Sequence, residues 1–258
     1  MTDEPEHLVR DIREALEGLP SQLAAALFDV ANDLRRLDVR PDVVEAFYLA
    51  AIHHGENDSY LNLGNLYAEN DDHAKALEAY RASWRHGDAK GAFMAAQALE
   101  SEGSLEEARD AYTFAAVQFP EASYRLARVL DAMGEHERAA EVLEGSAESS
   151  WESAVDLALG ASKPVEEAIA LLERHRDRGE SEVAVTLGLL YERAGRDADA
   201  RETWRRAAET GDAFAATNLG LALDDDGDRT EAVTWWRFAA QRGDEKAAEL
   251  LEDLATTD

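Results

Sequence analysis

The seven histidines are the residues best suited to metal binding or acid–base work in this 258-residue chain, and their spacing serves neither. His53 and His54 are adjacent, so on a helix they point about 100° apart and do not close on one metal. They stand just before Gly55, where a helix C-terminus favours a basic ring. His73, His86, His136 and His175 are isolated, in turns or near helix ends. No HExxH string and no Cys/His cluster occurs. The acidic run Asp224, Asp225, Asp226 and Asp228 lacks the ligand spacing and distal glutamate of an EF-hand and reads as a solvated turn. Gly-rich phosphate loops and nucleophile elbows are absent. Carboxylates are so common, at 55 acidic residues, that pairs of them single out no acid–base couple. The expectation is a chain that is not an enzyme, with no catalytic residue, cofactor site or metal site.

Composition narrows the remaining classes. The net charge is −29, with 26 basic residues against 55 acidic ones. A surface that negative repels nucleic acid and anionic membranes, and it favours basic partners or simple solubility. Cysteine is absent, so disulfides and thiolate chemistry are excluded. The N-terminal stretch is acidic and amphipathic, unlike a secretory signal, and no apolar run approaches the roughly 18–20 residues of a membrane span. The expected compartment is the cytoplasm. Four lysines against 22 arginines, with abundant alanine, suggest a GC-rich bacterial or a halophilic source.

Binding residues need elements to hold them, and the elements here repeat. Gly55–Gly87, Gly179–Gly211 and Gly211–Gly243 are three parallel segments of one register. Counting through the weaker middle places the opening positions at 55, 87, 118, 149, 179, 211 and 243, where Gln118 and Ser149 replace glycine. A period near 32 residues marks a stacked array in which each unit buries its apolar face against the next. Within a unit, Tyr60, Leu63, Gly64 and Tyr67 fall on one face of a first helix. Ala184, Leu187, Gly188 and Tyr191 repeat that face, as do Ala216, Leu219, Gly220 and Leu223. The second helix carries a ring among small residues: Tyr80, Tyr112, Trp204 and Trp236. The small residue after the leucine lets the two helices approach closely. An acid follows most opening glycines (Glu56, Asp88, Glu180, Asp212 and Asp244) and is placed to cap the next helix.

The strings L-G-x-L-Y at 63–67, L-G-L-L-Y at 187–191 and A-A-x-x-G-D-x-x-A at 239–247 resemble Sel-one-like repeats. The nine-residue step from Tyr67 to Ala76, or from Tyr191 to Ala200, is similar to the turn inside tetratricopeptide repeats. The resemblance covers about residues 41–254. It implies an all-α, right-handed α-solenoid of about seven antiparallel helix-turn-helix repeats with capping helices. The expected organisation is a capping helix at 1–20, a degenerate first repeat at 21–55, six repeats over 56–243, and a capping helix and tail at 244–258.

In such an array the first helices line the concave side. The groove positions are then two residues before and two after the leucine of each first helix. They read Leu61 and Asn65, Phe93 and Gln97, Tyr124 and Arg128, Val155 and Leu159, followed by Val185 and Leu189, Thr217 and Leu221, and Glu249 and Asp253. The first eight are the candidate peptide- or protein-binding residues. Asn65 falls where the clamps of tetratricopeptide proteins resemble an asparagine bonding a bound peptide, but the basic residues of a carboxylate clamp are mostly missing. Acids at Asp58, Glu121, Glu152 and Glu182 on the rim suit a basic peptide. Two alternatives stay open for the row: burial by tight curvature, and self-association. The expected function is a non-enzymatic scaffold or adaptor for a protein or peptide. The alternative is a regulatory or inhibitory protein whose acidic surface occupies a basic site on an enzyme or nucleic-acid-binding protein.

Overall fold

The computed structural model describes residues 4–160 and 163–257, and every regular element in them is helical. They divide into two compact units, Met1–Ala139 and Ala140–Asp258. The first contains α1 (Glu4–Glu17), α2 (Ala24–Arg36), α3 (Pro41–His53), α4 (Ser59–Glu69), α5 (His73–Arg85), α6 (Ala89–Ser101), α7 (Leu105–Ala115) and α8 (Pro120–Ala132). Helix α9 (His136–Ser146) runs across the boundary. The second contains α10 (Trp151–Leu159), α11 (Val165–Asp177), α12 (Ala184–Arg193), α13 (Asp197–Glu209), α14 (Ala213–Asp225), α15 (Arg229–Ala240) and α16 (Glu245–Thr257). Successive helices pack against each other from α2 to α8 and from α10 to α16, and α1 lies against α3.

The joints follow from the turn residues. After α3, α5, α11, α13 and α15 a glycine adopts positive φ, as at Gly55 (101°) and Gly211 (112°). The next N–H then reaches back to the last turn: Glu56 to the Ala51 carbonyl at 2.9 Å, Asp212 to Ala207 at 3.1 Å. This is the Schellman arrangement, and it satisfies carbonyls that the helix end leaves open. Inside the repeats the same closure uses Gly103, Gly134, Gly195 and Gly227, with Asp38 and Asp71 standing in at φ 54° and 60°. Gln118 and Ser149 behave differently. Neither adopts the left-handed conformation, which is costly for a residue with a Cβ. There the helix ends in tighter bonds, Gln118 and Phe119 both to the Ala115 carbonyl at 3.0 Å, and Pro120 starts α8.

Capping follows side-chain length. Asp88, Asp212 and Asp244 accept from the N–H groups of Lys90, Ala215 and Ala247 at 3.0, 2.9 and 2.7 Å. Glu56 and Glu180 do not cap, contrary to the expectation from their position. Glu56 reaches only the Asp58 N–H, at 3.4 Å, one residue ahead of α4. Glu180 turns back to Nδ1 of His175, and α12 starts after a short 3₁₀ turn, Ser181–Val183. The short aspartate fits the cap geometry, whereas the extra methylene of glutamate carries its carboxylate past it. His175 is fully buried, and its Nε2 donates to the Ala147 carbonyl at 2.6 Å. This residue, isolated in sequence, ties α11 to the connection before α10.

In the repeats of Tyr80, Tyr112, Trp204 and Trp236 a ring of the second helix is laid on the first. A Cβ built on Gly64 would stand 2.5 Å from the Tyr80 ring; on Gly188, 2.1 Å from Nε1 of Trp204; on Gly220, 2.4 Å from Nε1 of Trp236. The two indoles then donate to carbonyls of the first helix, Trp204 to Val185 at 3.2 Å and Trp236 to Thr217 at 3.3 Å. Tyr80 instead donates to Oδ1 of Asn65 at 2.9 Å, and Tyr112, facing the Ala96 repeat, donates to Glu100 at 2.6 Å.

Candidate peptide-binding face

Residues four apart on a helix share a face, so the predicted groove positions of each first helix lie together. They are half-buried or exposed, with one exception: Thr217 is buried, and its hydroxyl donates to the Ala213 carbonyl at 3.1 Å. Its environment does not close the face.

In the unit Ala140–Asp258 the face contains a groove of about 600 Å³. Val185 of α12, Thr217 and Asn218 of α14 and Glu249 of α16 line it, so three of its residues come from the predicted row. Phe214 stands at its edge with 69% of its surface exposed. Asp244 lies in the wall but spends its carboxylate on the α16 cap. Lys246 sits 3.6 Å from Glu249. Along the same face Leu159, Leu189 and Leu221 are 53%, 38% and 37% exposed. Val155 is half-buried against the core of this unit.

Phe214 was missed by the sequence reading. It occupies the rim register, three residues after the opening glycine, where Asp58, Glu121, Glu152 and Glu182 stand in other repeats. The signal was present, since an aromatic in an otherwise polar register has no core to fill.

In the unit Met1–Ala139 the row is more occupied by its own fold. Asn65 is half-buried and its Oδ1 already accepts from Tyr80. Phe93 meets Tyr112 edge-on at 5.8 Å between centroids and lies 6.4 Å from Phe119. Burial pushes the Tyr112 phenol pKa up, and its hydrogen bond to the Glu100 carboxylate pushes it further, so this ring is a fixed neutral platform for Phe93. Leu61 packs on the cluster of Leu77 and Leu99. Gln97 and Tyr124 are half-buried and Arg128 is exposed, its guanidinium 3.5 Å from the Tyr124 hydroxyl.

The chemistry on offer is recognition by apolar side chains, amides and carboxylates. Among the described residues no group of three His, Cys, Asp or Glu is arranged to hold a metal, and no helix is long and apolar enough to cross a membrane. Three acids of the α14–α15 turn are engaged within the fold: Asp228 caps α15, Asp224 accepts from Arg229 and Asp226 pairs with Arg201.

Comparison with known proteins bears on this architecture. Two tetratricopeptide-repeat profiles match, one at residues 58–83 and one at 121–148. No curated protein matches the chain significantly. Among solved structures, a protective antigen of uropathogenic Escherichia coli with an SLR fold superposes with a TM-score of 0.66 at 27% identity. That match covers 80% of this chain and 50% of the antigen, so the chain spans half the length of that protein. A tetratricopeptide-repeat protein of Parabacteroides merdae has a TM-score of 0.54 at 16% identity, covering 90% of this chain and 98% of its own. A Sel1 repeat protein of Oxalobacter formigenes has a TM-score of 0.50 at 19% identity, covering 85% and 86%. The latter two likenesses concern the fold alone.

Proposed function

We propose that this chain, whose helical repeats are similar to tetratricopeptide and SLR repeats, is a non-enzymatic adaptor holding a partner polypeptide against a face of its first helices. The observation that carries this reading is the groove over Val185, Thr217 and Glu249 with the exposed Phe214 ring at its edge. A free aromatic beside a concave, part-apolar floor is the kind of anchor around which interface energy concentrates. Val155 and Leu159 are further binding positions in the unit that holds the groove, and, separately, Leu61, Asn65, Phe93, Gln97, Tyr124 and Arg128 are those of the other unit. Among them Leu159 and Arg128 are the exposed side chains, whereas Asn65 and Phe93 are already engaged inside the fold.

Selection of displayed random peptides against the immobilised chain tests the reading. Enriched peptides should lose about tenfold or more in affinity for Phe214→Ser or Tyr124→Ala, with helicity by circular dichroism unchanged. Phe93→Ala alone is a poor probe, since it also strips the Tyr112 contact. Peptides that bind both variants as well as the parent chain would remove this face from consideration.

A further inference from the structure

Three features of the Ala140–Asp258 unit coincide on one face. The first is apolar. Leu159, Leu189 and Leu221 occupy one register of α10, α12 and α14 and are all more than a third exposed. The same register in the other unit holds Asn65, Gln97 and Arg128. Leucines exposed in a row are not the scattered apolar residues of an ordinary surface. The second feature is the groove beside them, with Phe214 at its edge. The third is charge. The first helices of this unit carry two basic residues, Arg193 and Lys246, and Lys246 is held by Glu249. Glu245 and Glu249 are exposed on α16, and Glu182 is exposed on the 3₁₀ turn that leads into α12. Most arginines of the unit stand on the second helices, where Arg174, Arg201 and Arg205 pair with Glu148, Asp226 and Glu231.

We infer that this face docks a cationic amphipathic segment of another protein, its apolar side chains on the leucine row and Phe214, its lysines or arginines against Glu245, Glu249 and Glu182. The inference rests on the adaptor reading above and specifies its partner. Charge decides among occupants. A second copy would bring another chain of net charge −29 onto an acidic face, and anionic lipid or nucleic acid is repelled for the same reason. A segment with basic residues flanking apolar ones satisfies both the stripe and its border, and electrostatic steering speeds its encounter.

The test uses three synthetic peptides of about 20 residues with identical leucine spacing and lysine, glutamine or glutamate at the polar positions. Binding to the full chain is read by fluorescence anisotropy at about 0.05 and about 0.3 M salt. The lysine peptide should bind at least about tenfold tighter than the other two and weaken about tenfold with salt. Leu189→Ser with Leu221→Ser should cost about tenfold at unchanged net charge. Glu245→Gln with Glu249→Gln should weaken binding several-fold, whereas Glu78→Gln with Glu106→Gln on the other unit should not. Equal loss in both charge variants means diffuse attraction to an acidic protein and overturns the site. Charge-blind binding that still depends on the leucines overturns the cationic partner and leaves the adaptor reading standing. If no peptide binds, the inference fails, and the display selection above judges the adaptor reading separately. Circular dichroism of each variant, with Leu189→Ala as a milder substitute, guards against loss of fold.

Discussion

Three glycines determine how closely the helices of their repeats meet. Glycine inside a helix costs about 0.5–1 kcal/mol relative to alanine. Gly188 repeats that cost for a reason visible in the distance: an alanine Cβ there would fall 2.1 Å from the Trp204 indole nitrogen. Trp204 is 2% exposed and anchored to the Val185 carbonyl, so the ring has nowhere to retreat. Overpacking a core costs about 1–3 kcal/mol, which outweighs the gain in helix propensity. Gly188→Ala should therefore lower the urea midpoint. A stabilised variant would mean the indole is not seated on the glycine. Because Trp204 holds the carbonyl of Val185, a groove residue, the same change should also disturb the groove floor.

At the scale of elements, ion pairs 26 residues apart tie a second helix to the next second helix or, at Glu148, to the turn after α9. Arg81 meets Glu107, Arg174 meets Glu148 and Arg205 meets Glu231. Each pair is part-exposed and worth about 0.2–1 kcal/mol. The hydrogen bond from Arg205 first, then that from Trp235, holds the Glu231 carboxyl below its usual range, and Arg174 does the same for Glu148. A carboxyl depressed in the folded state stabilises the fold above its unfolded pKa, and that contribution is lost as the pH falls through the folded value. Unfolding midpoints measured from pH 7 down to about pH 3 should thus fall below the ordinary carboxylate range, and Glu231→Gln should fall less steeply than the parent over that interval. Parallel curves would show that the pair contributes nothing to folding.

For the whole molecule, 26 basic residues cannot neutralise 55 acidic ones, so repulsion persists however well the pairs form. Salt screens long-range repulsion between exposed charges and also weakens exposed pairs. The excess of like charge makes the first effect larger, because each pair is worth little while the net charge acts on every residue. The thermal midpoint should rise by a few degrees between about 0.05 and about 0.3 M salt, the range in which docking of a cationic segment should weaken. A falling midpoint would mean that ion pairs, rather than self-repulsion, dominate the charge balance.

The 32-residue register, the leucine–glycine pairs and the ring of the second helix made the repeats legible in the sequence, because helical periodicity and close packing restrict residue type at every turn. Which residues of a first helix share a face was legible for the same reason: residues four apart must lie together. What lay beyond the sequence were relations between side chains distant along the chain. His175 reads as an isolated residue until Ala147 arrives above it, and Glu180 reads as a cap until it turns toward His175. Asn65 reads as a free peptide ligand until Tyr80 donates to it. Phe214 stands out in the sequence as an aromatic in a polar register, but the groove beside its exposed ring is formed only when α12, α14 and α16 pack. Local periodicity specifies which face a residue occupies. Which neighbour satisfies or exposes it depends on the packing of the next helix, and that was decided by the tertiary structure.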